Sequence, residues 1–175
     1  MTRRPIDPRV SPAPLAEDDS GSVLREAFAH WASGVAVLSA RDDDGRVYAM
    51  TIAAFTPVSV DPPLALVCIH NDAPLASVLD DGVACALSLL TEGQKRAATT
   101  FADRFAVPGD LLTDEALPAV AGADATLRGR VRAVHDGGDH RIVVLEVMEA
   151  GSDPAGLPPL VYWRRGYRRL ADAEA

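Results

Sequence analysis

Two histidines and two aspartates stand within six residues at positions 135–140, in the run His135-Asp136-Gly137-Gly138-Asp139-His140. These residue types ligate metals, but no third donor of known proximity accompanies them, so we predict no metal site here. The paired glycines between two strand-forming runs predict a tight hairpin turn. The turn is either a plain connection between strands or a loop that presents His140 to a bound cofactor or substrate.

Basic side chains are concentrated in the last third of the chain. A solvated surface is the plain interpretation of this pattern. Recognition of a phosphorylated small molecule is the alternative, because guanidinium groups pair well with phosphate oxygens. The arginines concerned are Arg128, Arg130, Arg132, Arg164, Arg165, Arg168 and Arg169.

Several catalytic and nucleotide-binding signatures are absent from the sequence. It contains no G-x-G-x-x-G after a strand, no phosphate-binding P-loop, no H-E-x-x-H and no G-x-S-x-G. An ordinary dinucleotide-binding α/β unit is therefore excluded.

Size and charge narrow the class of protein further. A chain of 175 residues predicts one domain, and the net charge of −8 argues against general binding of nucleic acid or anionic membranes. No apolar run is long enough to span a bilayer, and the N-terminus lacks an apolar signal region, so we expect a cytoplasmic protein. Cys68 and Cys85 lie in apolar strand-like runs and are expected to be buried free thiols.

The segment 47–69 is the centre of the predicted fold. It runs as a strand, turns at residues 59–63 (SVDPP) and continues as the apolar strand 64–69. Because that second strand does not alternate, both of its faces are expected to be buried. The second face then needs a cover, either a helix or another subunit, which is an argument for a homo-oligomer. The small, uncharged residues 51–56 are either plain core or a surface on which a flat ligand lies.

The remaining pattern is dominated by hairpins, and no strand–helix–strand series recurs. It predicts a mainly β, antiparallel barrel with a few helices. Residues 1–21 are expected to form a disordered arm, 22–170 the domain, and 171–175 a frayed tail. The predicted strands are 35–41, 47–55, 64–69, 83–90, 127–135, 141–148, 160–163 and 167–170, and the predicted helices are 23–31, 74–79 and 91–104.

Five segments in order resemble the flavin reductase-like, FMN-binding split-barrel family. They are 30–37 (HWASGVAV), 49–55 (AMTIAAF), 59–64 (SVDPPL), 138–140 (GDH) and 159–167 (PLVYWRRGY). The resemblance implies an antiparallel, Greek-key-like split β-barrel that forms a homodimer. It also implies an NAD(P)H:flavin oxidoreductase, which passes a hydride from NADH or NADPH to FMN or FAD and supplies reduced flavin to a partner monooxygenase.

The resemblance also implies site residues. His140 is the implied catalytic residue, near the nicotinamide and the flavin. The implied flavin-binding residues are Met50, Thr51, Ile52, Ala53, Ala54, Phe55, Ser59, Asn71, Ala73, Leu75, Phe101, Arg104, Gly138, Asp139 and Tyr167.

Two departures from the family pattern concern the grip on flavin. Relatives commonly carry a polar residue where this chain has Ala53-Ala54, and a Ser-Arg-like pair where it has Ala73-Pro74-Leu75. With these side chains the site has fewer hydrogen-bond donors for the flavin phosphate. That is compatible with a flavin that is a loosely held substrate, or with FAD. Two alternatives remain open: a non-catalytic flavin-binding protein, and a flavoprotein that acts directly on an organic substrate.

Overall fold

A computed structural model describes residues 20–106, 109–113, 115–154 and 156–170. Most of the predicted N-terminal arm and the whole predicted tail lie outside these residues. Ser20 and Gly21, which were assigned to the arm, begin the first helix.

The described residues form ten strands, where the sequence predicted six to eight. The additional strands come from a division of the segment 47–60 and from a two-residue strand after the first helix. The strands are β1 Ser33–Gly34, β2 Ala36–Arg41, β3 Val47–Ile52, β4 Phe55–Val60, β5 Pro63–His70, β6 Ala84–Leu89, β7 Ala125–Gly137, β8 His140–Ser152, β9 Val161–Trp163 and β10 Gly166–Arg168. The α-helices are α1 Ser20–Phe28 and α2 Lys95–Thr100, and 3₁₀ turns span Pro74–Ser77, Glu92–Gln94 and Gly109–Leu111.

Seven strands form an antiparallel sheet in the order β3-β2-β6-β7-β8-β5-β4. Its two edge strands, β3 and β4, are consecutive in the chain and are separated by Ala53 and Ala54 alone. The sheet therefore curls so that its edges approach each other, which makes a split barrel. The predicted single strand 47–55 is wrong, because the chain leaves β3 at these alanines. The carbonyl of Ala54 then accepts a hydrogen bond from the Cys68 N–H at 3.0 Å.

The apolar side chains form two clusters. The first fills the barrel, with Leu38, Val67 and Leu87 almost wholly buried. The second lies between β2, α2 and the small sheet β1-β9-β10, and its largest member is Phe101. Because β2 contributes to both clusters, it holds α2 in a fixed position beside β3.

Strand β5 is buried on one face rather than two. Ala65, Val67 and Ile69 are buried in the barrel, whereas Leu64, Leu66 and Cys68 on the alternate face are half-buried. The alternate face is only partly covered within this chain, so the predicted cover for it stays a prediction.

The hairpin β7–β8 is the longest in the molecule, and its turn is the predicted one. Gly138 takes a positive φ of 81°, which glycine adopts without strain. The pairing of the predicted strand 127–135 with β8 is irregular, since the register shifts between Arg128 and Gly129 and again between Val131 and Ala133. These bulges bend the hairpin around the barrel.

The helices are shorter than predicted. Gln94 accepts a hydrogen bond from the Thr91 N–H at 3.0 Å, as the predicted capping box requires, but α2 ends at Thr100 instead of Arg104. The predicted helix at 74–79 is a 3₁₀ turn over Pro74–Ser77, with Ala73 at the N-cap position. The first helix runs 20–28 instead of 23–31. No helix within the described ranges has the length and apolar character to cross a membrane.

Cys85 is expected to be inert in the native protein. Burial raises the pKa of its thiol to about 12. At about pH 8 such a thiol is ionised in roughly one molecule in ten thousand, and the thiolate is the reactive form. In a Cys68→Ser variant, a disulfide reagent should modify Cys85 only after unfolding in guanidinium chloride. Equal rates of modification in the native and unfolded states would contradict this assignment.

Candidate active site

A cavity of about 1070 Å³ lies between β3, the loop after β5 and the segment that follows α2. This volume is at the upper end of the range for small-molecule sites. The walls include apolar side chains from each of these elements, among them Met50, Leu75 and Phe101. The remaining described lining residues are Arg41, Arg46, Val47, Tyr48, Ala49, His70, Ala73, Pro74, Ser77, Ala102, Arg104, Phe105, Ala106, Gly109, Leu112, Thr113 and Pro118.

Hydrogen bonds between β3 and α2 fix the inner wall. The Thr51 hydroxyl donates to the Ala98 carbonyl at 2.8 Å, and the Thr51 N–H donates to the Phe101 carbonyl at 2.9 Å. Thr51 was predicted to bind the ligand, but its hydroxyl donates a hydrogen bond within the wall instead. Phe101 is 1 % exposed, so its ring is locked against the second core cluster.

The loop at 70–77 is held by hydrogen bonds from Arg104, which lines the cavity, and from Arg141 on β8. Arg104 Nη2 donates to the Asp72 carbonyl at 2.6 Å, and Arg141 Nη1 donates to the Ala76 carbonyl at 2.8 Å. These bonds bring the predicted residues Ala73, Leu75 and Arg104 together in one wall.

The charged side chains that line the cavity are arginines. Arg41 donates to the carbonyls of Ala116 and Gly45, at 2.8 and 2.9 Å, so carbonyl oxygens hold it without neutralising its charge. Arg46 lies 5.3 Å from the ring centre of Tyr48. No Asp or Glu side chain occurs among the described lining residues. A cationic cavity in a chain with a net charge of −8 favours an anionic ligand.

Two histidine rings meet at the edge of the cavity. His70, which lines the cavity, lies across from His140 in the β5–β8 pairing, with ring centres 5.2 Å apart. His140 Nδ1 is 2.7 Å from Asp139 Oδ1, and this hydrogen bond, with the charge of the ring, lowers the pKa of the Asp139 carboxyl. His70 Nδ1 accepts a hydrogen bond from the Asp72 N–H at 3.1 Å, so the neutral ring carries its hydrogen on Nε2.

The β7–β8 turn is fastened to the cavity wall through Asn71. The Asn71 side chain donates to the Gly138 carbonyl at 2.9 Å, and its N–H donates to the Asp139 carbonyl at 3.0 Å. Four predicted residues, Asn71, Gly138, Asp139 and His140, therefore form one unit next to the cavity. None of these four residues lines the cavity itself. Their neighbour His70 does.

Five predicted residues line the cavity: Met50, Ala73, Leu75, Phe101 and Arg104. Others lie elsewhere in the chain. Ile52 is buried in the barrel, Ala53 and Ala54 are exposed at the bend, and Phe55 and Ser59 are half-buried on β4. Tyr167 packs in the second core cluster against Tyr162, with ring centres 5.6 Å apart.

The cavity residues that the sequence missed include Arg46, Tyr48 and His70. They flank turns as single residues, and nothing in their spacing distinguishes them from solvated loop positions. The predicted arginine stripe, in contrast, does not reach the cavity. Arg130 and Arg132 contact Glu146, Arg128 contacts Glu115, Arg165 contacts Glu26 and Arg169 contacts Glu92.

A split antiparallel barrel with an apolar, cation-lined cavity at its side defines a class of small-molecule-binding barrels. Within that class, the chain belongs to the flavin reductase like domain family, whose model matches residues 28–171. The resemblance inferred from the sequence is confirmed, and so is the fold class.

Known relatives cover nearly the whole chain. The reductase component of 4-hydroxyphenylacetate 3-monooxygenase from Thermus thermophilus is 44 % identical over 150 residues, which are 84 % of this chain and 95 % of the relative. The NADH-dependent FAD reductase from Streptomyces globisporus is 35 % identical over 172 residues, 93 % of each chain.

Solved structures agree with this assignment. The NADH:FAD oxidoreductase of Streptomyces globisporus, in complex with NAD and FAD fragments, superposes with a TM-score of 0.80 at 30 % identity, over 93 % of this chain and 100 % of that one. The styrene monooxygenase flavin reductase from Pseudomonas putida S12 gives 0.76 at 31 % identity, over 85 % and 97 %.

Proposed function

We propose that this protein is an NAD(P)H-dependent flavin reductase that delivers reduced flavin to a partner monooxygenase. The observation that carries the proposal is the cavity beside β3, in which apolar walls and unneutralised arginines occur together. A flavin nucleotide has the matching parts, a flat apolar ring system and a phosphate. Membership of the family agrees with this match.

The residues present fit a flavin nucleotide. Arg104 is the candidate for the phosphate, since its described partners are the Asp72 carbonyl and, at 5.9 Å, the Phe105 ring. A guanidinium held in this way keeps donors and positive charge for a phosphate. The half-buried Ala49, Met50 and Ala73 supply apolar surface for the ring, with Leu75 and Phe101 packed behind it.

When bound together, the nicotinamide and the flavin supply the hydride-transfer chemistry themselves, C4 of the nicotinamide donating and N5 of the flavin accepting. The protein's contribution is to hold the two rings face to face and to exclude water. The wall formed by Thr51 and Phe101 suits that role, because hydrogen bonds to α2 and to the Phe101 carbonyl fix its position.

The paired histidines supply hydrogen bonds at the cavity edge. The neutral His70 ring offers Nε2–H as a donor, whereas the neutral His140 ring, whose Nδ1–H faces a carboxylate, offers Nε2 as an acceptor. A donor and an acceptor side by side match the carboxamide of nicotinamide, which has one group of each kind. Asp139 fixes the tautomer of His140.

The proposal includes a homodimer in the cytoplasm. Exposed apolar side chains occur on β4 and β8, the two strands that flank β5, with Val60 92 % and Met148 66 % exposed. The half-buried face of β5 lies between them. Exposed and half-buried apolar side chains on three neighbouring strands favour burial against a second copy. Light scattering after gel filtration tests the dimer, and a monomer at micromolar concentration would count against it.

The deciding experiment is a spectrophotometric assay with NADH and NADPH in turn, each with FMN, FAD and riboflavin. NADH or NADPH oxidation should rise on addition of flavin, and oxygenase turnover should follow when the partner is supplied. A yellow protein without turnover would instead support a non-catalytic flavin-binding role. Flavin retained through gel filtration and reoxidised by an organic substrate would support direct action on that substrate.

A further inference from the structure

The cavity extends along β3 beyond the reach of one phosphate. Lining residues run from Arg46, just before this strand, to Met50 within it. At about 3.3 Å per residue, these four steps cover about 13 Å. Phe101 bonds to Thr51 at one end of this path, and the β2–β3 hairpin forms the other.

Each end of the path has its own cationic group. Arg104 follows Phe101 and defines the α2 end, whereas Arg41 and Arg46 line the cavity at the hairpin end. A phosphate contacts guanidinium groups within about 4 Å, so one phosphate bound by Arg104 leaves the hairpin arginines without a partner. No ion pair between described residues involves Arg46.

The hairpin end also offers an aromatic surface. Tyr48 is half-buried and lines the cavity, with the Arg46 guanidinium 5.3 Å from its ring centre. An aromatic ring beside a guanidinium suits a nucleobase next to a phosphate, because the base stacks while the arginine pairs with the phosphate. Arg41 adds a second positive charge, since its described bonds go to backbone carbonyls.

Resting on the proposed function, we propose that the hairpin end, formed by Arg41, Arg46 and Tyr48, binds the adenosine monophosphate part of FAD. FMN shares the ring, the ribityl chain and the first phosphate of FAD but lacks this part. The hairpin end therefore makes FAD the preferred flavin of this chain, while Arg104 serves both flavins.

The test is the dissociation constant of FMN and of FAD, measured by calorimetry in the absence of nicotinamide. The wild-type protein should bind FAD more tightly than FMN. Arg46→Gln should raise the dissociation constant of FAD about tenfold or more, the effect of one charge-assisted hydrogen bond, and should thereby reduce the preference over FMN. Arg104→Gln should raise both constants. Arg132→Gln, which removes an exposed charge on the outside of β7, is the matched control and should change neither.

Three outcomes would overturn the inference. One is equal affinity of the wild-type protein for FMN and FAD, and another is an equal effect of Arg46→Gln on both. The third concerns NADH, which also carries adenosine monophosphate: a rise in the KM for NADH with FMN as acceptor, without a change in FAD affinity, would assign the hairpin end to NADH. If the wild-type protein neither bound nor reduced any flavin, the proposed function itself would fall.

Discussion

Replacing Gly129 by alanine is expected to lower the free energy of unfolding by about 3 kcal/mol or more. A Cβ at this position would overlap the carbonyl oxygen of Glu146, and the next nearest atoms are the Glu146 carbonyl carbon at 3.0 Å and the Val147 Cα at 3.1 Å. All three belong to the backbone of β8 and cannot turn aside as a side chain would. Either the bulge or the pairing of β7 with β8 must give way.

Thermal unfolding measures this loss. For a chain of this size, about 3 kcal/mol corresponds to a fall in Tm of about 6–12 °C. Gly151→Ala on β8 is the matched control, because nothing lies within 4 Å of a Cβ there and the residue is exposed. Its effect should stay within about 0.5 kcal/mol. Equal Tm values for the two variants would show that the hairpin yields to the added methyl group.

Local signals in the sequence predicted the hairpins but not the closure of the barrel. Gly45 and Gly138 both take a positive φ at turns between strand-forming runs, and both turns were predicted. The break at Ala53-Ala54 has no glycine or proline to mark it. It arises because the two sheet edges, β3 and β4, must meet, and that requirement comes from all seven strands together.

The candidate site was predictable where the family resemblance implied residues that line the cavity, as at Met50, Phe101 and Arg104. His70 and Arg46 escaped notice because each is an isolated residue next to a turn. Their importance comes from tertiary contacts, namely the β5–β8 register that brings His70 to His140 and the stacking of Arg46 on Tyr48. The order of residues in the sequence alone does not reveal either contact.

Arg104→Gln is expected to raise the KM for FMN about tenfold or more, with a much smaller effect on the KM for riboflavin. The two flavins share the ring and the ribityl chain, and riboflavin lacks the phosphate. Loss of a charge-assisted hydrogen bond to phosphate therefore separates them, whereas damage to the ring site would affect both equally. The measurement is the KM for each flavin at saturating nicotinamide.

Arg96→Gln is the matched control for charge. Arg96 lies in α2, is exposed, and pairs with Asp110 at 3.3 Å outside the cavity lining. Its removal changes the net charge by the same amount, so long-range attraction of an anionic flavin weakens equally in both variants. Only Arg104→Gln should show the difference between FMN and riboflavin. A parallel rise for both flavins would mean that Arg104 acts through its bond to Asp72, by holding the loop at 70–77, and that another group binds the phosphate.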